Sequence, residues 1–450
     1  MMSRSDRRSS VIFAVCASVW CGACGQGSTS GPPSQMPTAG NAGSVAGAGG
    51  AVAGSAGSAG SAQGGSTAAG ASGALGAGAG GTLGASGAAG AGAAGANAGT
   101  AGAAGASATG TPFVYVGGTG TDISIYKLDA ALGKLTFVKS VAAGTTPSFL
   151  AFDPTVAHLY AVNEGTAKVA SFKVDPKTGD LTFLNRVDSG GDSPAFVSVD
   201  RSGKYVLVAN YTGGTTRVFP IGADGSLGTP SDNKAPGMNS HMILTDAANK
   251  FAFVMNLGSD TVSQYTFDAS NGTLMANSAP QVKTATGAGP RHLAFHPSGK
   301  YAYLIAELND TLSAFSYDAA LGQLTSIQTP LSTLPAGTNG ASNSCAEVVV
   351  APSGKFVYGS NRGHDSIVTF SIDEATGKIT YLGTTPSGGN VPRSFTLSTD
   401  GKLMLVANES GDVVSFSVDV ATGALSKLLS VKQTNKPQFV GIVTLPGATP

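Results

Sequence analysis

From Phe113 onward the hydrophobic residues fall into short runs, each closed by Gly, Pro, Asn or Asp. Such runs read as β-strands rather than helices. One pattern recurs: an aromatic-led strand, an Asp, then a Gly-x-Leu turn. It begins as Tyr126-Lys-Leu-Asp with Gly133-Lys-Leu and Phe172-Lys-Val-Asp with Gly179-Asp-Leu, and it ends as Phe416-Ser-Val-Asp with Gly423-Ala-Leu. Seven copies begin at residues 126, 172, 219, 265, 315, 370 and 416, spaced 46 to 55 residues apart. A second pattern precedes each copy, an apolar strand that ends on a polar residue, as in Tyr205-Val-Leu-Val-Ala-Asn and Leu403-Met-Leu-Val-Ala-Asn-Glu. A third comes earlier still and is often led by proline, as in Pro194-Ala-Phe-Val-Ser-Val and Pro290-Arg-His-Leu-Ala-Phe.

Each unit therefore reads as strand A, turn, strand B, strand C, glycine turn, strand D. Four short strands at this period make one blade of a propeller. The front of the region lacks an A strand, and its seventh copy, Pro437-Gln-Phe-Val-Gly-Ile-Val, stands at the C-terminus. The C-terminal A strand thus completes the N-terminal blade and closes the ring, leaving no frayed edge. Residues 112–450 are expected to form an all-β, seven-bladed propeller of four antiparallel strands per blade.

This topology predicts which distant residues converge. With A innermost and B antiparallel beside it, every A start and every B end share one face, near the mouth of the axial channel. The A starts supply His241, Arg291, His292, Glu347 and Arg393; the B ends supply Glu164, Asn210, Asn256, Glu307, Arg362 and Glu409. The loop after the sixth B strand adds His364 and Asp365. Arginines, carboxylates and a histidine around one mouth suit an anion-binding, acid–base site. Glu164, Glu409 and Arg393 read as structural ion-pair partners. His296 and His158, on the opposite face, read as solvated.

Charge divides the chain in two. Residues 9–121 contain no Asp, Glu, Lys or Arg. Arg4, Asp6, Arg7 and Arg8 precede them, so the back region holds 26 − 3 = 23 basic and 26 − 1 = 25 acidic residues, net −2. That balance excludes a basic nucleic-acid surface. At the front, Arg4, Arg7 and Arg8 form a positive segment before the apolar stretch Val11 to Trp20, which is too short to span a bilayer and reads as a secretory signal over residues 1–23. Cys21-Gly22-Ala23-Cys24 resembles a bacterial lipobox, which implies lipidation of Cys24 and an exported cell-envelope lipoprotein held at the membrane only by its lipid anchor; the alternative is ordinary signal cleavage nearby. Residues 24–111 then form a linker with 28 Gly and 28 Ala, too poor in large apolar side chains to offset its ordering entropy. Once the signal and the lipidated residue are set aside, Cys345 is the one remaining thiol, so an intrachain disulfide is excluded.

Two stretches carry a family resemblance. Gly289-Pro-Arg-His-Leu-Ala-Phe-His-Pro-Ser-Gly-Lys-Tyr-Ala-Tyr followed by Glu307-Leu, and Ala346-Glu-Val-Val-Val-Ala-Pro-Ser-Gly-Lys-Phe-Val-Tyr-Gly-Ser-Asn-Arg-Gly-His-Asp, resemble the signatures of the seven-bladed propeller lactonases. That family joins bacterial 6-phosphogluconolactonases with fungal carboxy-cis,cis-muconate cyclases. The resemblance implies a lactone hydrolase whose site is one His, two Arg and one Glu. Matched by motif, these fall on His241, Arg291, Arg362 and Glu307, with His292, His364, Asp365 and Glu347 as substrate-binding candidates. Three positions depart from the family pattern: Met238-Asn-Ser-His241 lacks a first His, Ala306 replaces an Asn, and Asn256 stands near an expected Asp. The expectation is a monomeric hydrolase of a sugar lactone or related anionic cyclic ester, without cofactor or metal, with Glu307 or His241 as general base. The alternative is a non-catalytic, surface-tethered propeller that binds a protein or glycan.

Overall fold

A computed structural model of the chain describes residues 110–433 and 435–445. The expected signal (1–23), Cys24 and almost all of the linker (24–111) lie outside these described residues. The first strand starts at Thr111, which pairs with Leu445, so the folded region begins one residue before the expected boundary.

Seven antiparallel sheets follow one another around a ring. Blades 1 to 6 open with A strands Leu150–Phe152, Pro194–Val199, Ser240–Thr245, Pro290–Phe295, Ser344–Val350 and Pro392–Leu397. In each, the hydrogen-bonded order runs A, B, C, D. Blade 7 takes its A strand, Pro437–Leu445, from the C-terminus and its other three strands from the N-terminal side of the region. Successive A strands touch one another around the axis. Between blades 7 and 1 the contact is made by Phe439 and Phe149, whose rings stand 4.9 Å apart. The A and B strands are almost wholly buried, whereas the D strands expose most of their residues. The blade pattern is loosest where proline intrudes. After Pro220 the D strand of blade 2 shrinks to Asp232–Lys234, and in blade 4 Pro330 stands in the break between Gln323–Ser326 and Leu331–Ser332.

The sequence pattern explains how the blades adhere. The glycine of each C–D turn takes positive φ, from 63° at Gly133 to 88° at Gly225, where a side chain would be strained. Several of these turns also receive a tyrosine from the B strand of the preceding blade. The phenols of Tyr115, Tyr160, Tyr303 and Tyr358 donate to the carbonyls of Gly179, Gly225, Gly377 and Gly423 at 2.7 to 3.1 Å. A Cβ on Gly377 would overlap the Tyr301 ring. One residue type thus satisfies both the turn and the blade-to-blade packing.

His296 corrects an expectation. It is buried rather than solvated, with Nε2 at 2.9 Å from the Gly354 carbonyl and Nδ1 at 2.8 Å from Ser298 Oγ. It joins blade 4 to the A–B turn of blade 5. His158 is partly buried and meets Asp153 at 2.9 Å.

Candidate active site

A shared backbone device builds the mouth. In six blades a left-handed residue leads into the A strand, directly at Ser193, Asn239, Gly289, Val391 and Lys436 and with three residues between at Thr146, with φ between 39° and 66°. In five blades the residue that follows the B strand ties itself to that kink. Glu164, Tyr211, Leu257, Glu307 and Glu409 donate their N–H groups to the carbonyls of Thr146, Ser193, Asn239, Gly289 and Val391 at 2.7 to 3.1 Å. These five side chains therefore start from one height on the ring.

The A strands add a β-bulge. Pro290 pairs with Ala306 and His292 with Ile305, so Arg291 is an extra residue. His241 and Arg393 are extra in the same way between Ser240 and Met242 and between Pro392 and Ser394. In blade 5 the register jumps from Cys345 to Val348, which frees Ala346 and Glu347. A bulge re-aims a side chain that simple alternation would place elsewhere.

The asparagines that end the B strands do a different job. Asn163, Asn210, Asn361 and Asn408 are fully buried and donate Nδ2 to the carbonyls of Ala143, Ser189, Thr333 and Ser387. Asn256 is buried against Ser240 and Ser263. Asn210 and Asn256 are thus structural anchors beneath the mouth and do not present themselves to it. The residue that reaches the mouth from blade 2 is Tyr211, one position later, which the sequence reading missed. The signal was present, because Tyr211 follows the terminal Asn as Glu409 follows Asn408.

Glu307 sits between two guanidinium groups. Its Oε2 lies 2.8 Å from Arg291 Nε and its Oε1 lies 3.0 Å from Arg362 Nη2. Arg291 also donates to the Ala346 carbonyl at 2.7 Å, and Arg362 to the Cys345 carbonyl at 2.8 Å. Beside them Arg393 meets Glu409 at 3.4 Å, and Gln438 donates to Glu409 at 2.7 Å. Arg291, Arg362 and Arg393 are thus each paired with a carboxylate, and Glu347 lies close enough to act on Arg291 as well. Burial pushes the Glu307 carboxyl up, but Arg291 and Arg362 outweigh it and hold the group below its ordinary value. For Arg291, burial disfavours the cation and Arg362 adds to that effect, while Glu307 opposes both.

His241 lies inward of this cluster, 5 % exposed. Burial, reinforced by Arg291, keeps its imidazole well below the usual histidine range, so the ring stays neutral at pH 7. Among the described residues its buried Nδ1 has no partner, and neither has Arg362 Nε. Tyr211 stands edge-on to His241 with ring centroids 5.6 Å apart, and His292 flanks His241 at 5.1 Å.

The four residues of the motif reading, His241, Arg291, Glu307 and Arg362, thus gather in one place. His292 and Glu347 lie deeper. Both are buried, and His292 Nδ1 meets Glu347 Oε1 at 2.9 Å. His292 also packs against the edges of Phe149 and Phe196. This pair supports the site from below. His364 and Asp365 are placed away from the cluster's contacts. His364 Nδ1 meets Ser366 Oγ at 2.7 Å, while the Asp365 carboxylate accepts from Val391 N and Asn390 Nδ2 and secures the entry to blade 6. Among the described residues no group of three His, Cys, Asp or Glu side chains has the geometry to hold a metal ion. Cys345 is buried beside Thr333 and Asn361, and burial raises its thiol pKa, which leaves it inert.

Comparison with known proteins agrees with the propeller fold. Residues 108–442 match the family described as lactonase, 7-bladed beta-propeller. A 6-phosphogluconolactonase from Formosa agariphila is 33% identical over 329 residues, covering 69% of this chain and 92% of its own. The 6-phosphogluconolactonase of Bacillus subtilis is 33% identical over 339 residues, covering 72% and 95%. Among solved structures, the periplasmic gluconolactonase of Pseudomonas aeruginosa superposes with a TM-score of 0.70 at 29% identity, over 75% of this chain and 100% of that one. With seven blades, a displaced closing strand and a match across the whole propeller, the chain belongs to the seven-bladed β-propeller lactonase family.

Proposed function

We propose that the chain is a lactone hydrolase whose substrate carries an anionic group, and that the arginine-lined mouth is its site. The hydrolase reading rests on family membership and on curated relatives named 6-phosphogluconolactonase at 33% identity. Those relatives favour the enzyme over a non-catalytic binding module. One observation supports the site: a neutral, buried His241 beside three clustered arginines, Arg291, Arg362 and Arg393.

Each side chain then has a task. Hydrolysis needs a base for the attacking water and donors for the oxyanion that forms on the carbonyl. Both Glu307 oxygens are engaged by arginine, so neither is free to accept a proton from water. Its task is to hold Arg291 and Arg362 at fixed positions. His241 is unprotonated at pH 7 and takes the proton from water. Arg362, with its free Nε, donates to the oxyanion, and Arg393 faces the substrate's anionic substituent. The test is a pH-stat titration of the mature chain with phosphorylated, carboxylated and neutral lactones. Acid release above the spontaneous rate, fastest with an anionic lactone, is expected. No release from any of them would remove the hydrolase reading.

We further read the chain as exported and anchored by lipid on Cys24, with residues 24–111 as a tether. The basic start, the short apolar stretch and the small residues before Cys24 support this. Structural similarity to a periplasmic gluconolactonase favours export. Cys24→Ser is expected to move the protein from the membrane to the soluble fraction; retention would point to another anchor.

A further inference from the structure

We propose that Tyr211 is the general acid of this reaction, delivering a proton to the ring oxygen as the lactone opens. The assignment rests on the lactonase reading and adds a residue to it.

Placement is the first ground. Tyr211 occupies in blade 2 the rung that Glu307 occupies in blade 4 and Glu409 in blade 6, fixed by the bond from its N–H to the Ser193 carbonyl at 2.8 Å. Its ring stands edge-on to His241 at 5.6 Å. The phenol lies within the field of Glu307, Arg291, Arg362 and Arg393, so it faces the same space as they do. Further round the ring Leu257 in blade 3 is apolar, and Glu307 and Glu409 are each paired with arginine, so none of these three can do the same work.

The second ground is its free hydroxyl. The buried phenols of Tyr115, Tyr160, Tyr303 and Tyr358 are each engaged by a glycine carbonyl. Tyr211 is half-buried at the mouth, and among the described residues its hydroxyl has no protein acceptor. Burial, then Glu307, raises its pKa, so the group arrives protonated at neutral pH.

The proton balance closes with these two groups. His241 accepts a proton from water while the water oxygen bonds to the carbonyl carbon. The resulting oxyanion is held by guanidinium. On collapse the acyl carbon–ring oxygen bond breaks and its electron pair goes to the ring oxygen, which takes the Tyr211 proton. The imidazolium proton returns to the phenolate, directly or through a water. Water has then been added across one ester bond, and the new carboxyl group ionises in solution. The arginines offer no such proton, since guanidinium stays charged throughout.

Tyr211→Phe keeps the ring and its edge contact with His241 and removes only the hydroxyl. The experiment compares two lactones that the wild type hydrolyses, one with an aliphatic alkoxide leaving group and one with a phenolate leaving group. An alkoxide needs protonation as it departs; a phenolate does not. Turnover of the aliphatic lactone should fall by about 10²-fold or more, the scale of general acid–base catalysis, while the aryl lactone changes by no more than about threefold. A thermal melt beside the kinetics reports folding. Equal losses on both lactones, or no loss on either, would overturn the assignment, since a packing role does not distinguish leaving groups. A wild type inactive on every lactone would instead remove the underlying hydrolase reading.

Discussion

Replacing Glu307 by Gln tests the arginine cluster as a unit. The substitution preserves shape and removes one negative charge that two guanidiniums share at 2.8 and 3.0 Å. Arg291 is the severe case, because its side chain is only 3 % exposed and cannot turn to water. Removing one partner of a buried ion pair costs about 3–5 kcal/mol, chiefly because the other charge is left uncompensated. The Glu307 side chain is 19 % exposed, so solvent screens part of this and the lower end, about 3 kcal/mol, applies. For a domain of this size that corresponds to a drop in Tm of roughly 4 °C. The assay is a thermal melt at pH 7 in chloride and again with added sulfate. Sulfate should seat between the freed guanidiniums and restore the variant more than it raises the wild type. Saturation at 100 times its Kd is worth about 2.7 kcal/mol. The wild type is the needed reference, because sulfate also stabilises folded proteins in general. A variant that melts within about 1 °C of wild type and gains no more from sulfate would refute the idea that Glu307 holds two buried cations together.

Two further outcomes can be read from stability alone. His241 and His292 both hold pKa values below the ordinary imidazole, so the unfolded chain takes up protons below pH ~6.5 that the folded chain refuses. Stability should be full above that pH and fall as acid is added, by at most about 1.4 kcal/mol per pH unit for each histidine, and His241→Gln should flatten the slope measured by urea melts between pH 7 and 5. Tyr303→Phe should cost about 1 kcal/mol through the lost bond to Gly377, while Gly377→Ala should cost clearly more, since it meets both a positive φ of 72° and the Tyr301 ring; equal melts for the two would contradict the blade-to-blade account.

The fold was legible because the propeller repeats its grammar seven times. Proline-led A strands, Asp-to-glycine turns and the displaced Pro437 strand left one closed ring as the solution. The convergence of His241, Arg291, Glu307 and Arg362 was legible for the same reason, since it follows from strand direction alone. What escaped was local. Alternation along a strand does not reveal the bulges that make His241, Arg291 and Arg393 extra residues. Terminal asparagines such as Asn210 looked functional, yet they are buried anchors, and the side chain one step on, Tyr211, is the one at the mouth. His364 and Asp365 were drawn in by sequence proximity to Arg362, but the loop uses them for its own hydrogen bonds. His296 sits on a turn that solvent normally reaches, and it is buried because the neighbouring turn offers the Gly354 carbonyl.

The central claim is that the mouth of the propeller hydrolyses a lactone with His241 as base. Steady-state turnover of an anionic lactone by the wild type and by His241→Gln, per folded molecule and at pH 7, tests it most directly. The wild type should turn over well above the spontaneous rate, and the variant should lose about 10²–10⁴-fold in kcat while remaining folded. A folded His241→Gln variant with undiminished kcat would contradict the account and place the chemistry elsewhere.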